Sequence, residues 1–296
     1  MADKPICGLF VGLTTLDFIY HAASPPKANQ KLVASDYLVS AGGPATNAAI
    51  AFQHLGGRAK LLSVIGSHAI THLIRADLQA HGIEVWDLAP QQVEPPPVSS
   101  IIVTEATGDR AVISINASKT QAAIGAIPPH CLEGVDIVLI DGHQMAVGQA
   151  IAQQAKALSI PVVVDGGSWK PYFRDLLGLT DYAICSANFY PPGCKTKMAV
   201  VAYLKGLGIH HIAITHGGNP IHYRTPQEMG WLQVPQIQPV DTLGAGDIFH
   251  GAFCYFGLQQ KFADALASAA TVAARACEFF GPRRWMQSPD RNGGTR

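Results

Sequence analysis

Charge is scarce in this 296-residue chain: Lys, Arg, Asp and Glu together make 14% of it, and 21 basic side chains cancel 21 acidic ones to a formal net charge of zero. Without a block of like charge there is no electrostatic footprint for nucleic acid or an anionic membrane surface. The 6 cysteines are scattered with no C-x-x-C pair, which argues against a zinc site or a compact disulfide framework and for reduced thiols. The first apolar run, 6–11, is too short for a secretory signal core or a membrane span. None of the 12 histidines stands in H-E-x-x-H spacing. A P-loop is missing too, because Gly193-Cys194-Lys195-Thr196 has the wrong spacing, and no G-x-G-x-x-G follows a strand. P-loop NTPases and dinucleotide dehydrogenases are therefore unsupported. The expectation is a cytoplasmic protein acting on a small molecule, with no nucleic-acid and no membrane partner.

What is present is a 48% hydrophobic chain, long enough to bury a sizeable core. Short apolar runs bounded by Gly, Asp or Ser alternate with segments of helical period, the pattern of βαβ units around a mostly parallel sheet. Strands are expected at 6–11, 60–65, 136–140, 162–165, 182–185 and 211–215. Helices are expected at 45–55, 71–81, 146–158 and 198–207, and a pair of Ala-rich helices across 245–280 with a break near Gly257. Two stretches depart from this rhythm, about 17–40 and 99–115. Their β-branched alternation around Gly108-Asp109 reads as a small antiparallel sheet serving as a lid on a single domain, 1–296.

Chemistry concentrates in Asp241-Thr242-Leu243-Gly244-Ala245-Gly246-Asp247. Glycines opening an apolar helix leave backbone N–H groups bare at the positive end of its dipole, a site for an anion such as a phosphoryl group. Asp247, one residue further, is either the cap of that helix or a general base taking a proton from an attacking hydroxyl. Gly42 and Gly43 precede a second helix with Asn47 on its first turn. That segment reads either as an ordinary capped helix or as a place where amides meet the hydroxyls of a polyol. Asp17 follows the first strand, where a carboxylate can chelate adjacent hydroxyls or cap a turn. Thr215 and Gly217 end a strand at the same crevice, as a hairpin entry or as a hold on nucleotide phosphates.

Taken together, Asp241 to Asp247 and Gly42-Gly43 with Asn47 resemble the two signatures of the PfkB (ribokinase-like) carbohydrate kinase family, in the family's order and separation. Among its members, the run from Cys7-Gly8 to Asp17 and the stretch Glu105 to Arg110 are most similar to ketohexokinases. Gly42-Gly43-Pro44-Ala45, with Lys31 before it and Phe249-His250-Gly251 after, is similar to sulfofructose kinases. The resemblance implies a three-layer αβα sandwich with a β lid, ATP as donor and Mg2+ as counter-ion. It also implies a homodimer formed through the lids. Carried over, it puts Asp17, Gly42, Gly43 and Asn47 on the sugar, Asp247 as base, and Gly244, Ala245 and Gly246 as the anion hole. Thr215, Gly217 and Thr242 fall to the nucleotide, and Asp241 to a monovalent cation, K+. Lys31, Asn116, Lys119 and His143 are candidates for the far end of the sugar. The sequence departs from the family where an N-x-x-E motif is expected: Ser186-Ala187-Asn188-Phe189 has no glutamate. Pro44 also replaces the asparagine of ketohexokinases. The resulting expectation is an ATP-dependent kinase of a small sugar, a ketose or ketose derivative, against a nucleoside kinase or a non-catalytic sensor of the same fold.

Overall fold

The computed structural model describes residues 4–115 and 121–287, so Asn116 and Lys119 lie outside the described residues. Strand β1 (Cys7–Gly12) is wholly buried, with Leu9 and Val11 packed into one apolar layer and Phe10 into another. A strand covered by helices on both faces must be apolar throughout, and β1 is. It leads into β2 (Thr15–Ala22) and β3 (Asp36–Gly42), then α1 (Pro44–His54), β4 (Arg58–Ser63), α2 (Thr71–Ala80) and β5 (Glu84–Asp87). The chain returns through β6 (Val98–Thr104) and β7 (Arg110–Ser114). It then alternates as β8 (Ile137–Ile140), α3 (Met145–Ala157), β9 (Val162–Gly166), α4 (Phe173–Leu177), β10 (Tyr182–Ser186), α5 (Lys197–Gly206) and β11 (His211–His216). A hairpin, β12 (Asn219–Arg224) and β13 (Met229–Leu232), precedes α6 (Ala245–Gly257) and α7 (Phe262–Cys277).

The main sheet has nine strands in the order β13-β12-β11-β10-β9-β8-β1-β4-β5. Pairing is parallel from β5 to β11 and antiparallel only in the β12–β13 edge. Side chains of α3, α4 and α5 fill the layer that holds Leu9 and Val11; those of α1, α2, α6 and α7 fill the layer that holds Phe10. This is the three-layer α/β architecture, and the expected elements stand where the period put them, their ends moved by one to three residues. The strands that pattern reading passed over, β5, β12 and β13, carry polar residues because they lie at or near the sheet edges, and β5 and β13 are also short.

The four-stranded second sheet runs β3-β2-β6-β7. Expected to be antiparallel, it consists of two antiparallel pairs, β2–β3 and β6–β7, joined by a parallel β2–β6 pairing. The parallel join follows from connectivity: between β3 and β6 the chain makes α1, β4, α2 and β5, a long excursion in place of a hairpin. Among the described residues, no helix is long and apolar enough to cross a membrane. All six cysteines are free thiols, Cys194 alone being only half-buried.

Helices α1 and α6, which begin at the two glycine motifs, pack directly on one another. At Gly251 they approach so closely that a Cβ would fall on the main-chain carbonyl of Ala48. Only glycine fits there, and the crossing sets the spacing between the first turns of both helices. Gly251→Ala is expected to lower stability by about 1–3 kcal/mol through overpacking, read as a lower Tm. Asn47 and Asp247, on the first turns of the two helices, would move apart with it.

Candidate active site

The first turns of α1 and α6 face the carboxyl ends of the main strands, where a doubly wound sheet forms its crevice. Gly244 takes φ 73°, in the left-handed region that favours glycine, and α6 starts behind it with no side-chain cap. Ala245 N donates back to the Thr242 carbonyl at 3.4 Å, and the other N–H groups of that first turn are open to an anion. Asp247 stands in the same turn, half-buried. Its Oδ2 accepts a hydrogen bond from Asn47 Nδ2 at 2.8 Å. Burial, and next the nearby Asp165 carboxylate, push the Asp247 carboxyl up from 3.8 to about 7; Asp141 adds to the rise, while Asn47 and His250 oppose it. A carboxyl poised there can take up a proton near neutral pH.

Asn47 is buried on α1, which opens with Pro44 after Gly43. Asp17, in β2, is also buried, and its Oδ1 accepts from Thr15 Oγ1 at 2.7 Å. Burial raises the Asp17 pKa; the Thr15 and Ser99 hydroxyls and the Arg283 charge restrain the rise. Asp17, Gly43, Asn47 and Asp247 line one cavity of about 790 Å³, together with His143 and Leu243. A second cavity, about 450 Å³ beside Pro161, Tyr182 and His211, lies at the opposite ends of β9, β10 and β11 and holds none of the expected residues.

The other expected residues are distributed around this centre. Gly42 closes β3, opposite Thr15. Ala245 and Gly246 complete the turn that Gly244 begins. Thr215 is the last but one residue of β11, its hydroxyl donating to the Cys185 carbonyl at 3.4 Å, and Gly217 sits exposed in the β11–β12 turn, both outside the cavity lining. Lys31 is exposed on the β2–β3 connection and does not line the cavity. Asp241 is buried, with Oδ1 accepting from Leu243 N and Oδ2 from Gly281 N, each at 2.8 Å. Burial raises its pKa against those two donors. It thereby ties the signature loop to the turn after α7.

Thr242 connects the two sheets. Its carbonyl accepts from Arg110 Nη1 at 2.9 Å and its hydroxyl donates to the Gly108 carbonyl at 3.3 Å, so the β6–β7 turn rests on the glycine loop. Arg110→Ala is expected to loosen this contact. The measurable outcome is weaker ligand binding in the cavity, with Tm nearly unchanged because the arginine is exposed at the surface.

Sequence reasoning missed several participants. Asp141, directly after β8, is fully buried; its Oδ2 accepts from Leu13 N at 2.8 Å and Ala45 N at 3.2 Å, and its Oδ1 from His143 N at 2.8 Å. Burial would raise its pKa, but His143 and these backbone donors together hold it below the usual carboxylate range. Its position at the carboxyl end of an apolar strand was the available signal. Lys170 and Trp169 line the cavity and Arg283 lies behind Asn47, none with a local pattern to mark it. In the stretch without the expected glutamate, Phe189 is buried against Trp169 and Phe173, with ring centroids 5.6 and 5.4 Å away. Among the described residues, no three His, Cys, Asp or Glu side chains gather as a metal site.

A mostly parallel sheet with a smaller sheet over its carboxyl edge defines a ribokinase-like α/β protein. Solved structures agree. A putative ribokinase from Agrobacterium tumefaciens superposes with a TM-score of 0.81 at 26% identity, covering 94% of this chain and 93% of that one. The ribokinase of Arabidopsis thaliana complexed with ribose and ATP gives 0.75 at 21% identity, covering 94% of each. Among curated relatives, Bacillus subtilis (strain 168) ribokinase is 21% identical over 277 residues, 91% of this chain and 92% of that protein. A deoxyribokinase of Salmonella typhi is 25% identical over 292 residues, 89% of this chain and 90% of that one. The model of the pfkB family carbohydrate kinases matches residues 9–288, and the chain belongs to that family. It is accordingly a phosphotransferase with an alcohol group as acceptor.

Proposed function

We propose that this protein transfers the γ-phosphoryl group of ATP to a hydroxyl of a small sugar, a ketose or ketose derivative, with Asp247 as general base. The observation that carries the reading is the 2.8 Å hydrogen bond from Asn47 to Asp247, which joins the two glycine motifs at one cavity. Asp17, Gly42, Gly43 and Asn47 hold the sugar. Asp247 takes the proton of the accepting hydroxyl as its oxygen bonds to phosphorus and the bond to the ADP oxygen breaks. The N–H groups of Gly244, Ala245 and Gly246 stabilise the charge on the moving phosphoryl group, that of Ala245 by exchanging its 3.4 Å contact with the Thr242 carbonyl for the phosphoryl oxygen. Thr215, Gly217 and Thr242 lie along the nucleotide, in keeping with the strand-end positions of the first two.

Mg2+ fits this arrangement as a counter-ion carried on the phosphates. It keeps most of its water and so needs few protein ligands, in line with a cavity lining that leaves out the buried Asp141, whose two oxygens already accept the N–H groups of Leu13, Ala45 and His143. When bound, it neutralises phosphate charge. K+ fits beside Asp241, whose two oxygens each retain a lone pair after accepting one backbone hydrogen bond. The small sheet acts as the lid of one catalytic unit spanning residues 1–296. Its exposed Tyr37 (67%) and Ile113 (78%) suit a homodimer through the lids. The cytoplasm, which supplies ATP and keeps thiols reduced, suits both the reaction and the six free cysteines.

The test is ADP release across ketoses, aldoses, phosphorylated sugars and nucleosides. The expected result is turnover that depends on a ketose. Turnover only with nucleosides overturns the substrate class, and ligand-induced stabilisation without any turnover overturns the enzyme reading in favour of a sensor.

A further inference from the structure

Arg283, in the turn after α7, is only 5% exposed. Its Nη1 donates to Asn47 Oδ1 at 3.0 Å and to the Pro282 carbonyl at 3.3 Å. Its Nη2 donates to the Ala41 carbonyl at 2.6 Å and to Asp77 Oδ2 at 3.4 Å. Asp77, on α2, also accepts from Ala41 N at 3.0 Å. A continuous line of contacts therefore runs Asp77, Arg283, Asn47, Asp247, from behind the cavity to its wall.

The direction of that line is set by chemistry. A guanidinium has donors and no acceptor. An asparagine beside it must turn its oxygen toward the arginine, which leaves the NH2 to face Asp247. An amide whose two ends are so alike in shape has no steric reason to choose between them, so the choice rests on the partners. Were the amide reversed, its oxygen would meet the Asp247 carboxylate and its NH2 the Arg283 cation, two repulsive contacts in place of two attractive ones. The cavity lies on the far side of Asn47, and Arg283 is not part of its lining.

We propose that Arg283 is a positioning residue, a buried guanidinium that locks the Asn47 amide with its NH2 on Asp247 and its oxygen turned away from the cavity wall. Its kinetic consequence rests on Asp247 being the base; its structural consequence does not. The other titratable groups around Asp247 are Asp165 in β9, Asp141 directly after β8 and His250 on α6 itself. All three stay in place in the variants below. Arg283 also feels the charge of Asp17 as well as those of Asp77 and Asp247.

The experiment compares wild type, Arg283→Met and Arg283→Lys, each with and without Asp247→Asn. The Tm difference within each pair is followed from pH 4 to 9 without substrate, and reports the titration of Asp247 alone. In the Met variant its midpoint should move upward by about one pH unit, because a donor and a nearby cation are both lost. The acid limb of kcat/KM should move with it, kcat should fall about 10-fold, and the KM for ATP should stay the same. The Lys variant, which keeps the charge but reaches fewer acceptors, should shift less in the same direction. If the Met variant does not fold, the Lys variant decides by the same midpoint. A lowered Tm with an unmoved midpoint and an unmoved acid limb overturns the proposal and leaves Arg283 as an anchor of the last turn. Asp247→Asn with full turnover would overturn the base assignment, while the substrate-free midpoint would still decide the role of Arg283.

Discussion

Asp247→Asn is expected to lower kcat about 10²–10⁴-fold, the usual contribution of a general base, the role proposed for Asp247, and to leave ATP affinity within about twofold. The substitution is nearly isosteric, and Asn47 Nδ2 can still donate to the amide oxygen at the position of Oδ2. The loss is therefore chemical and not a collapse of the cavity. In wild type the same carboxyl, pushed up to about 7 by burial and by Asp165, must be ionised to serve as the proposed base. Consequently kcat/KM should rise with pH through an acid limb near 7 and level off above it. A profile with its limb near 4, the ordinary carboxylate range, would mean that the group governing turnover is some other one. Stopped-time assays of both proteins across pH 5 to 9, with nucleotide binding measured separately by titration, supply every quantity needed.

The second large effect is on stability and needs no substrate. With its folded pKa raised from 3.8 to about 7, Asp247 retains a proton in the folded state over a range where the unfolded chain has released it. Its contribution to stability is complete below about pH 4 and is lost as pH rises through about 7. The full shift corresponds to roughly 4 kcal/mol, and contact with cavity water brings the expected difference nearer roughly 2. The Asn variant, which cannot ionise, should thus be less favoured than wild type at pH 4 and gain on it steadily to pH 8. Equal pH dependence of Tm in the two proteins would show that the carboxyl titrates as an ordinary aspartate, and with it the poised base would be lost. Binding of an anion at the open first turn of α6 should sharpen the contrast, since a phosphoryl group and an ionised Asp247 repel one another.

Much of the architecture was legible beforehand because apolar period is a local property. The buried runs of β1, β8, β9, β10 and β11 and the 3.6-residue spacing of α1 to α3 carry their own signal. Strands β5, β12 and β13 did not, since edge positions tolerate polar residues and erase the alternation. The parallel β2–β6 join was equally invisible, for both hairpins look alike whichever way they are laid together.

The site divides in the same manner. Glycine turns followed by polar first-turn residues marked Gly43, Asn47, Gly244 and Asp247 in the chain itself, because a helix start with bare N–H groups is encoded by neighbours in sequence. Asp141 and Arg283 act through partners far away along the chain, Leu13 and Ala45 for one, Asn47 and Ala41 for the other, and no neighbour announces them. Lys31, which in sequence stands near the first glycine motif, is held out in solvent, while Lys170 reaches the cavity from more than a hundred residues beyond that motif.

From its residues alone the chain determined an α/β fold, two helix starts suited to an anion and a polyol, and a carboxylate at one of them. Tertiary structure alone decided that Gly251 lets α1 and α6 touch, that Asn47 thereby reaches Asp247, and that burial beside Asp165 poises this carboxyl near neutrality. The reason is physical. Helix and strand preferences depend on spacings of a few residues, whereas desolvation, repulsion between carboxylates and the orientation of an amide depend on groups that only packing brings within a few ångströms.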